Sequence, residues 1–295
     1  MKISLIQQEF KGNKEDTVKH TVDMIKSSNG ELVILQELHQ NEYFCKFEDT
    51  KYFDYAENFE EDVKFWAKIS KEQNIVLVAS LFEKVMDGIY YNTAVVFDKG
   101  KIAGKYRKTH IPDDPGFYEK FYFTPGDEIE PIDTSLGRLG VLVCWDQWYP
   151  EPARIMALKG AEILIYPTAI GWLMCPETRK DELCEKENTQ KEKNKMLNAW
   201  ISVQRGHAVA NGVYVIAVNR VGGEKDESGC LGGIEFWGNS FVFGPQGEEI
   251  ARGGFGEEII ECEIDLNAAK ELRKIWPFFR DRRIELYECI KNRYC

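Results

Sequence analysis

Histidine is scarce: the 295-residue chain has four, His20, His39, His110 and His207. Its eight cysteines (Cys45, Cys144, Cys175, Cys184, Cys230, Cys262, Cys289 and Cys295) are scattered without a C-x-x-C pair. A zinc knuckle or finger needs clustered thiolates and imidazoles, so no metal site is expected. No long Lys/Arg run occurs, and 38 Lys+Arg against 49 Asp+Glu give a formal charge of −11. Neutralising a phosphate backbone takes a clustered positive surface, so a nucleic-acid partner is not expected. No apolar stretch reaches the length of a membrane span, and the opening MKISLIQQEF meets Gln7 before a secretory core could form. The expectation is a cytoplasmic protein with no membrane partner and with reduced thiols.

What is present is core-forming material, 43% hydrophobic and 13% aromatic, which excludes global disorder. Apolar runs of strand length alternate with helix-period segments from end to end, the pattern of a layered α/β protein. Strands are expected at 2–7, 32–36, 75–82, 93–98, 139–144, 162–166, 213–219, 240–244 and 258–264. Val18, Val22 and Ile25 recur at helical spacing, as do Val63, Trp66 and Ile69. A third helix should start near Pro150 and stop at Gly160, and a fourth should run over 195–211 and end at Gly212. The turns around Lys99-Gly100 and Pro245–Gly247 read as hairpins, so the sheets are mixed. The polar stretch 176–195 reads as a charge-rich insertion, a solvated loop or an exposed helix rather than a linker between domains.

Three extended segments end on unlike reactive groups. LVILQ runs into Glu37, Lys105-Tyr106-Arg107 into Lys108, and LGVLV into Cys144. Side chains just past strand ends are held by a stiff scaffold and face crevices where ligands bind. Each also has an ordinary reading: a charged strand end in water for Glu37 and Lys108, a small buried apolar residue for Cys144. Together they fit attack on an unreactive acyl carbon. A thiol is only partly ionised at neutral pH, so a carboxylate base improves it, while an ammonium and a backbone N–H can hold the oxyanion. A Cys-His pair through His110 or His207 is the second option, with His207 more readily a core histidine.

The segments GVLVCWDQWYPEPAR and AGKYRKTHIPDDPGFYEKFYFTPGD, with Gln36-Glu37 closing the second strand, resemble the carbon-nitrogen hydrolase (nitrilase) superfamily over essentially the whole chain. The resemblance implies a four-layer α-β-β-α sandwich with mixed sheets, a single domain spanning 1–295, and a homo-oligomer, dimer or larger. It makes Cys144 the nucleophile, Glu37 the base and then acid, Lys108 the oxyanion's cation and Glu119 a second glutamate beside the site. No cofactor is implied. Gln36 departs from the proline common in relatives, which should alter local stiffness more than chemistry.

The resemblance points to a small-molecule carbamoyl amine as substrate, since relatives that cut carbamoyl amino acids place two arginines shortly after the nucleophile. Gln147 and Trp148 stand there in this chain. A carboxylate tail would want such forked donors, so a cationic alkyl tail is the expected guest. Asp146, Glu177, Tyr43 and Trp172 are candidates to hold its ammonium. Trp145 and Ala169 are candidates to line the pocket. The alternatives are an amidase on another small amide, and a non-catalytic assembly or redox-sensing protein.

Overall fold

The computed structural model describes residues 1–176, 186 and 188–295. In chain order its main elements are β1 (Lys2–Gln7), α1 (Lys14–Ser27), β2 (Leu32–Leu35), α2 (Phe59–Gln73), β3 (Val76–Met86), β4 (Ile89–Asp98), β5 (Lys101–Arg107), α3 (Glu119–Tyr122), β6 (Ile132–Thr134), β7 (Gly137–Val141), α4 (Pro150–Leu158), β8 (Ile163–Thr168), β9 (Gly171–Met174), α5 (Gln190–Asn211), β10 (Tyr214–Asn219), β11 (Val221–Glu224), β12 (Gly233–Trp237), β13 (Phe241–Phe243), β14 (Glu249–Arg252) and β15 (Glu258–Glu263), followed by the helix Leu266–Ile275.

Two six-stranded mixed sheets, ordered β15-β1-β2-β3-β4-β5 and β14-β13-β10-β8-β7-β6, form the centre, with a small β11-β12-β9 sheet beside them. β1, β2 and β3 run parallel, as do β7, β8 and β10, while the outer strands pair antiparallel. Successive side chains of a strand point to opposite faces. Thus Val33 and Leu35, with Leu77 and Ala79, pack under Val22, Ile25, Val63 and Trp66 of the two outer helices. Their neighbours Leu32, Ile34, Val76 and Val78 join Val141 and Ile163 of the second sheet. Met156 of α4 and Trp200 of α5 belong to that same core. The result is the four-layer α-β-β-α arrangement that the family resemblance implied. Because strands β2 and β3 are buried on both faces, no polar alternation marks them.

Local signals set the helix ends. Asn13 caps α1 by accepting from the Asp16 N–H at 2.8 Å, Pro150 opens α4, and Gly212, at φ +57°, closes α5. α5 begins five residues earlier than expected, so the end of the polar stretch 176–195 takes the exposed-helix form of the two that its charge pattern allowed, loop or helix. Residues 177–185 and 187, including the candidate Glu177, lie outside the described residues. The expectation of reduced thiols fails at the C-terminus, where Cys289 and Cys295 are bonded to each other. No described helix is long and apolar enough to cross a membrane.

Candidate active site

The ends of β2, β5 and β7 deliver three of the sequence-selected side chains to one place. Glu37 stands two residues beyond β2, Lys108 directly follows β5, and Cys144 opens the short turn Cys144–Trp148 after β7. The fourth, Glu119, is the first residue of α3. All are buried: Glu37, Lys108 and Glu119 expose 0% of their surface and Cys144 5%. Lys108 Nζ donates to Glu37 Oε1 at 2.7 Å and to Glu119 Oε2 at 2.6 Å. Glu37 Oε1 also accepts from Asn92 Nδ2 at 2.7 Å, and Glu119 Oε1 accepts from the Tyr43 hydroxyl at 2.8 Å. Three of the four oxygens of these two carboxylates are therefore partnered, while the buried Glu37 Oε2 has no hydrogen-bond partner.

Burial dominates the electrostatics. It lifts the Cys144 thiol well above its ordinary range; Glu37 adds to this, Lys108 opposes it and Glu119 adds again. The charges of all three groups thus reach the sulfur. Burial alone would lower the Lys108 ammonium, yet the adjacent Glu119 and Glu37 carboxylates hold it well above its usual value. Lys108 stays a cation. Burial raises the Glu119 carboxyl to about 7, against the opposing pull of Lys108. One cation between two buried carboxylates leaves room for a single proton to move near neutral pH.

Cys144 has φ +41°, in the left-handed region that a residue bearing a Cβ rarely occupies. Asp146 shows what holds it there. Its carboxylate accepts from the Val143 N–H at 2.9 Å, the Tyr106 hydroxyl at 2.9 Å, Thr109 Oγ1 at 2.9 Å and the His110 N–H at 3.0 Å, with His110 Nδ1 at 2.7 Å. This corrects the expectation that Asp146 grips a substrate ammonium: its lone pairs are spent on fastening the turn. Gln147 is fastened similarly, with Oε1 accepting from Trp200 Nε1 at 2.7 Å and Gln204 Nε2 at 2.9 Å of α5. His207 Nε2 lies 2.8 Å from the Gln147 carbonyl oxygen. His110 and His207 thus serve the frame, and neither makes a hydrogen bond with Cys144.

Cys144, Glu119 and Ala169 border a cavity of about 370 Å³, within the range of small-molecule sites. Trp145 lines it, as do Trp148, Phe117 and Leu173. The Cys144 sulfur lies 3.9 Å from the Ala169 carbonyl oxygen. Tyr43 meets the site only through its hydroxyl on Glu119, its ring packing on Phe117 and Phe236. Trp172 is corrected to a core position: it is 6% exposed, stacks near Trp237 and Phe255, and is absent from the cavity lining. In β9 its neighbours Gly171 and Leu173 face the cavity instead.

Sequence reading missed Asn92, hidden in β4 among apolar residues, and Asp114, in the loop before α3. Asp114 is exposed, lines the cavity, and has no ion pair among the described residues. A signal for it existed, since Asp113-Asp114 interrupt an otherwise apolar and aromatic segment. Among the described residues no group of His, Cys, Asp and Glu could hold a metal ion.

A cysteine among buried carboxylates and a lysine, at the strand ends of an α-β-β-α sandwich, defines a class of amide-cleaving enzymes. The carbon-nitrogen hydrolase family model matches residues 2–274, and the chain belongs to that family. It is a C–N hydrolase acting on a small-molecule amide. A carbon-nitrogen hydrolase crystal structure from Helicobacter pylori superposes with a TM-score of 0.93 at 51% identity, covering 100% of this chain and 99% of that one. A citrullinase of Francisella tularensis is 38% identical, covering 100% of this chain and 99% of its own length. An N-carbamoylputrescine amidase of rice is also 38% identical, over 93% of this chain and 88% of the relative.

Proposed function

We propose that the enzyme hydrolyses N-carbamoylputrescine to putrescine, ammonia and carbon dioxide, a step of polyamine biosynthesis, with Cys144 as nucleophile. The unpartnered, buried Glu37 Oε2 carries the mechanistic part of this reading. With Oε1 fixed by Asn92 and Lys108, the second oxygen is the one free to take the thiol proton. The sulfur bonds to the ureido carbon, whose carbonyl oxygen becomes an oxyanion. Lys108 Nζ and the backbone N–H of Trp145 stabilise that charge. Glu37 returns its proton to the departing nitrogen as the C–N bond breaks. It then draws a proton from water, which adds to the acyl carbon and frees the thiol. The carbamic acid left by this sequence loses carbon dioxide. A ureido carbon is a weak electrophile because two nitrogens donate into it, hence the need for both a thiolate and a charged clamp.

The tail preference rests on the cavity. Its described lining holds aromatic faces and the exposed carboxylate of Asp114, and no Lys or Arg, while Lys108 behind Glu119 is neutralised by Glu37 and Glu119. Such a surface suits an alkylammonium and repels a carboxylate. The citrullinase relative supports a second reading, an ω-ureido amino acid as substrate. Ammonia release from N-carbamoylputrescine, L-citrulline, an ω-amide and a nitrile separates them. Highest kcat/KM on N-carbamoylputrescine, abolished in Cys144→Ser with the fold intact, is expected; preference for citrulline, or undiminished activity of that variant, rejects the proposal. We read 1–295 as one catalytic domain working in the cytoplasm as a homo-oligomer. Exposed Ile275, Trp276, Ile284 and Leu286 near the C-terminus support association.

A further inference from the structure

We propose that Arg220 is a positioning residue that sets Glu37 and Glu119 in place together, an inference that rests on Glu37 being the base. Arg220 follows β10 and is 0% exposed. Its Nη2 donates to the carbonyl oxygens of Glu37 at 3.3 Å and Leu38 at 2.9 Å. Its Nη1 donates to the Asn41 carbonyl oxygen at 3.0 Å and to Glu224 Oε1 at 2.6 Å. One planar guanidinium therefore fastens three carbonyls of the loop that begins at the base.

That loop needs fastening. Leu38, next to Glu37, has φ +46°, a conformation a branched apolar side chain resists. Leu38 is 3% exposed, and its N–H donates to Ser80 Oγ at 3.1 Å. Ser80 Oγ in turn donates to Asn92 Oδ1 at 3.0 Å, and Asn92 holds Glu37 Oε1. The strained peptide is thus pinned by Ser80 on its nitrogen side and by Arg220 on its carbonyl side. Released from either, Leu38 would relax and carry the Glu37 side chain with it.

The second arm reaches Glu119. Glu224 Oε2 accepts from the Tyr43 backbone N–H at 2.6 Å and from Lys46 Nζ at 3.2 Å. Tyr43 then presents its hydroxyl to Glu119 Oε1. The preceding residue, Asn219, extends the grip to the opposite wall: its Oδ1 accepts from the Ile170 N–H at 2.9 Å and its Nδ2 donates to the Ile170 carbonyl oxygen at 3.0 Å. Ile170 lines the cavity beside Ala169. Asn219-Arg220 at the end of β10 therefore ties the loop of the base, the residue that orients Glu119, and the substrate wall to one rigid strand. Lysine cannot replace this arginine, because a single ammonium lacks the fork that spans four acceptors.

The test uses the full-length enzyme and three variants, R220K, E224Q and E37Q. Alkylation of Cys144 by iodoacetamide is followed by mass spectrometry of its own peptide, because the exposed Cys230 reacts too, and kcat is expressed per reactive Cys144 rather than per chain. For folded R220K, kcat per thiol should fall about 100-fold with KM changed much less, the signature of a misplacement of about 1 Å. The rate of Cys144 alkylation should fall alongside it. Unchanged kcat per thiol with only a lower melting temperature means a purely structural role and overturns the proposal. Where R220K does not fold, E224Q decides: it keeps the arginine's bonds to the loop but weakens the arm to Tyr43, so a smaller kcat loss supports the inference and none rejects it. E37Q separates the two levels. Alkylation as fast in E37Q as in wild type removes the base assignment; slowing in E37Q but not in R220K removes only the role of Arg220.

Discussion

Replacing Glu119 with glutamine tests the charge arrangement directly, because the swap is nearly isosteric and both neighbours can adapt. Lys108 still finds an amide oxygen, and the Tyr43 hydroxyl can turn from donor to acceptor. What disappears is the titration. In the folded enzyme burial raises this carboxyl from 4.5 to about 7, so the folded state keeps a proton that the unfolded chain gives up earlier. The contribution to stability is fully present below about 4.5 and is lost as pH rises through about 7. At 1.36 kcal/mol per pH unit the difference is about 3 kcal/mol. Denaturant unfolding of both proteins from pH 4 to pH 8 should therefore show wild type losing about 3 kcal/mol relative to E119Q across that window. The same group should give wild-type kcat an inflection near pH 7 that E119Q lacks. Loss of the charge-assisted bond to Lys108, about 1.5–3 kcal/mol, should also lower kcat ten- to hundredfold. A stability difference between the two proteins that stays flat with pH refutes the reasoning, since a buried carboxyl held near 7 cannot be silent.

Two other changes probe the tail and the turn. Asp114→Asn should reduce kcat/KM on N-carbamoylputrescine about tenfold more than on neutral N-butylurea, mainly through KM, with Asp114→Glu restoring much of the preference; equal losses on the two substrates would deny Asp114 a part in recognising the ammonium. Asp146→Ala should cost about 3–5 kcal/mol in denaturant unfolding and slow alkylation of Cys144, because five donors including the Val143 N–H lose their acceptor; an enzyme of native stability and thiol reactivity would show that the turn holds its shape unaided.

The four principal side chains were readable because each follows, or closely follows, an element whose sequence announces itself. LVIL, the KYR stretch and LGVLV are unmistakable as extended chain, and a polar residue placed just after such a run has few places to go. The errors share another physical origin. Asp146, beside Cys144, looked like a recognition group, yet its oxygens were already committed to five donors, four of them on residues 106–110. Trp172 failed for a related reason: β9 is only four residues long, so the sequence does not fix which of its alternate positions faces the cavity. Asn92 and Arg220 were invisible because a buried polar residue within or after an apolar strand looks the same whether it holds a catalytic carboxylate or a structural carbonyl. Sequence thus indicates which groups the scaffold presents, but not which lone pairs remain free once the chain has closed. Glu37 Oε2 has no partner, while Asn92, 55 positions later, and Lys108 both take its sibling oxygen. That one unsatisfied atom is the ground for proposing Glu37 as a base rather than reading it as another buried ion pair, and it arises from contacts between residues far apart in the chain.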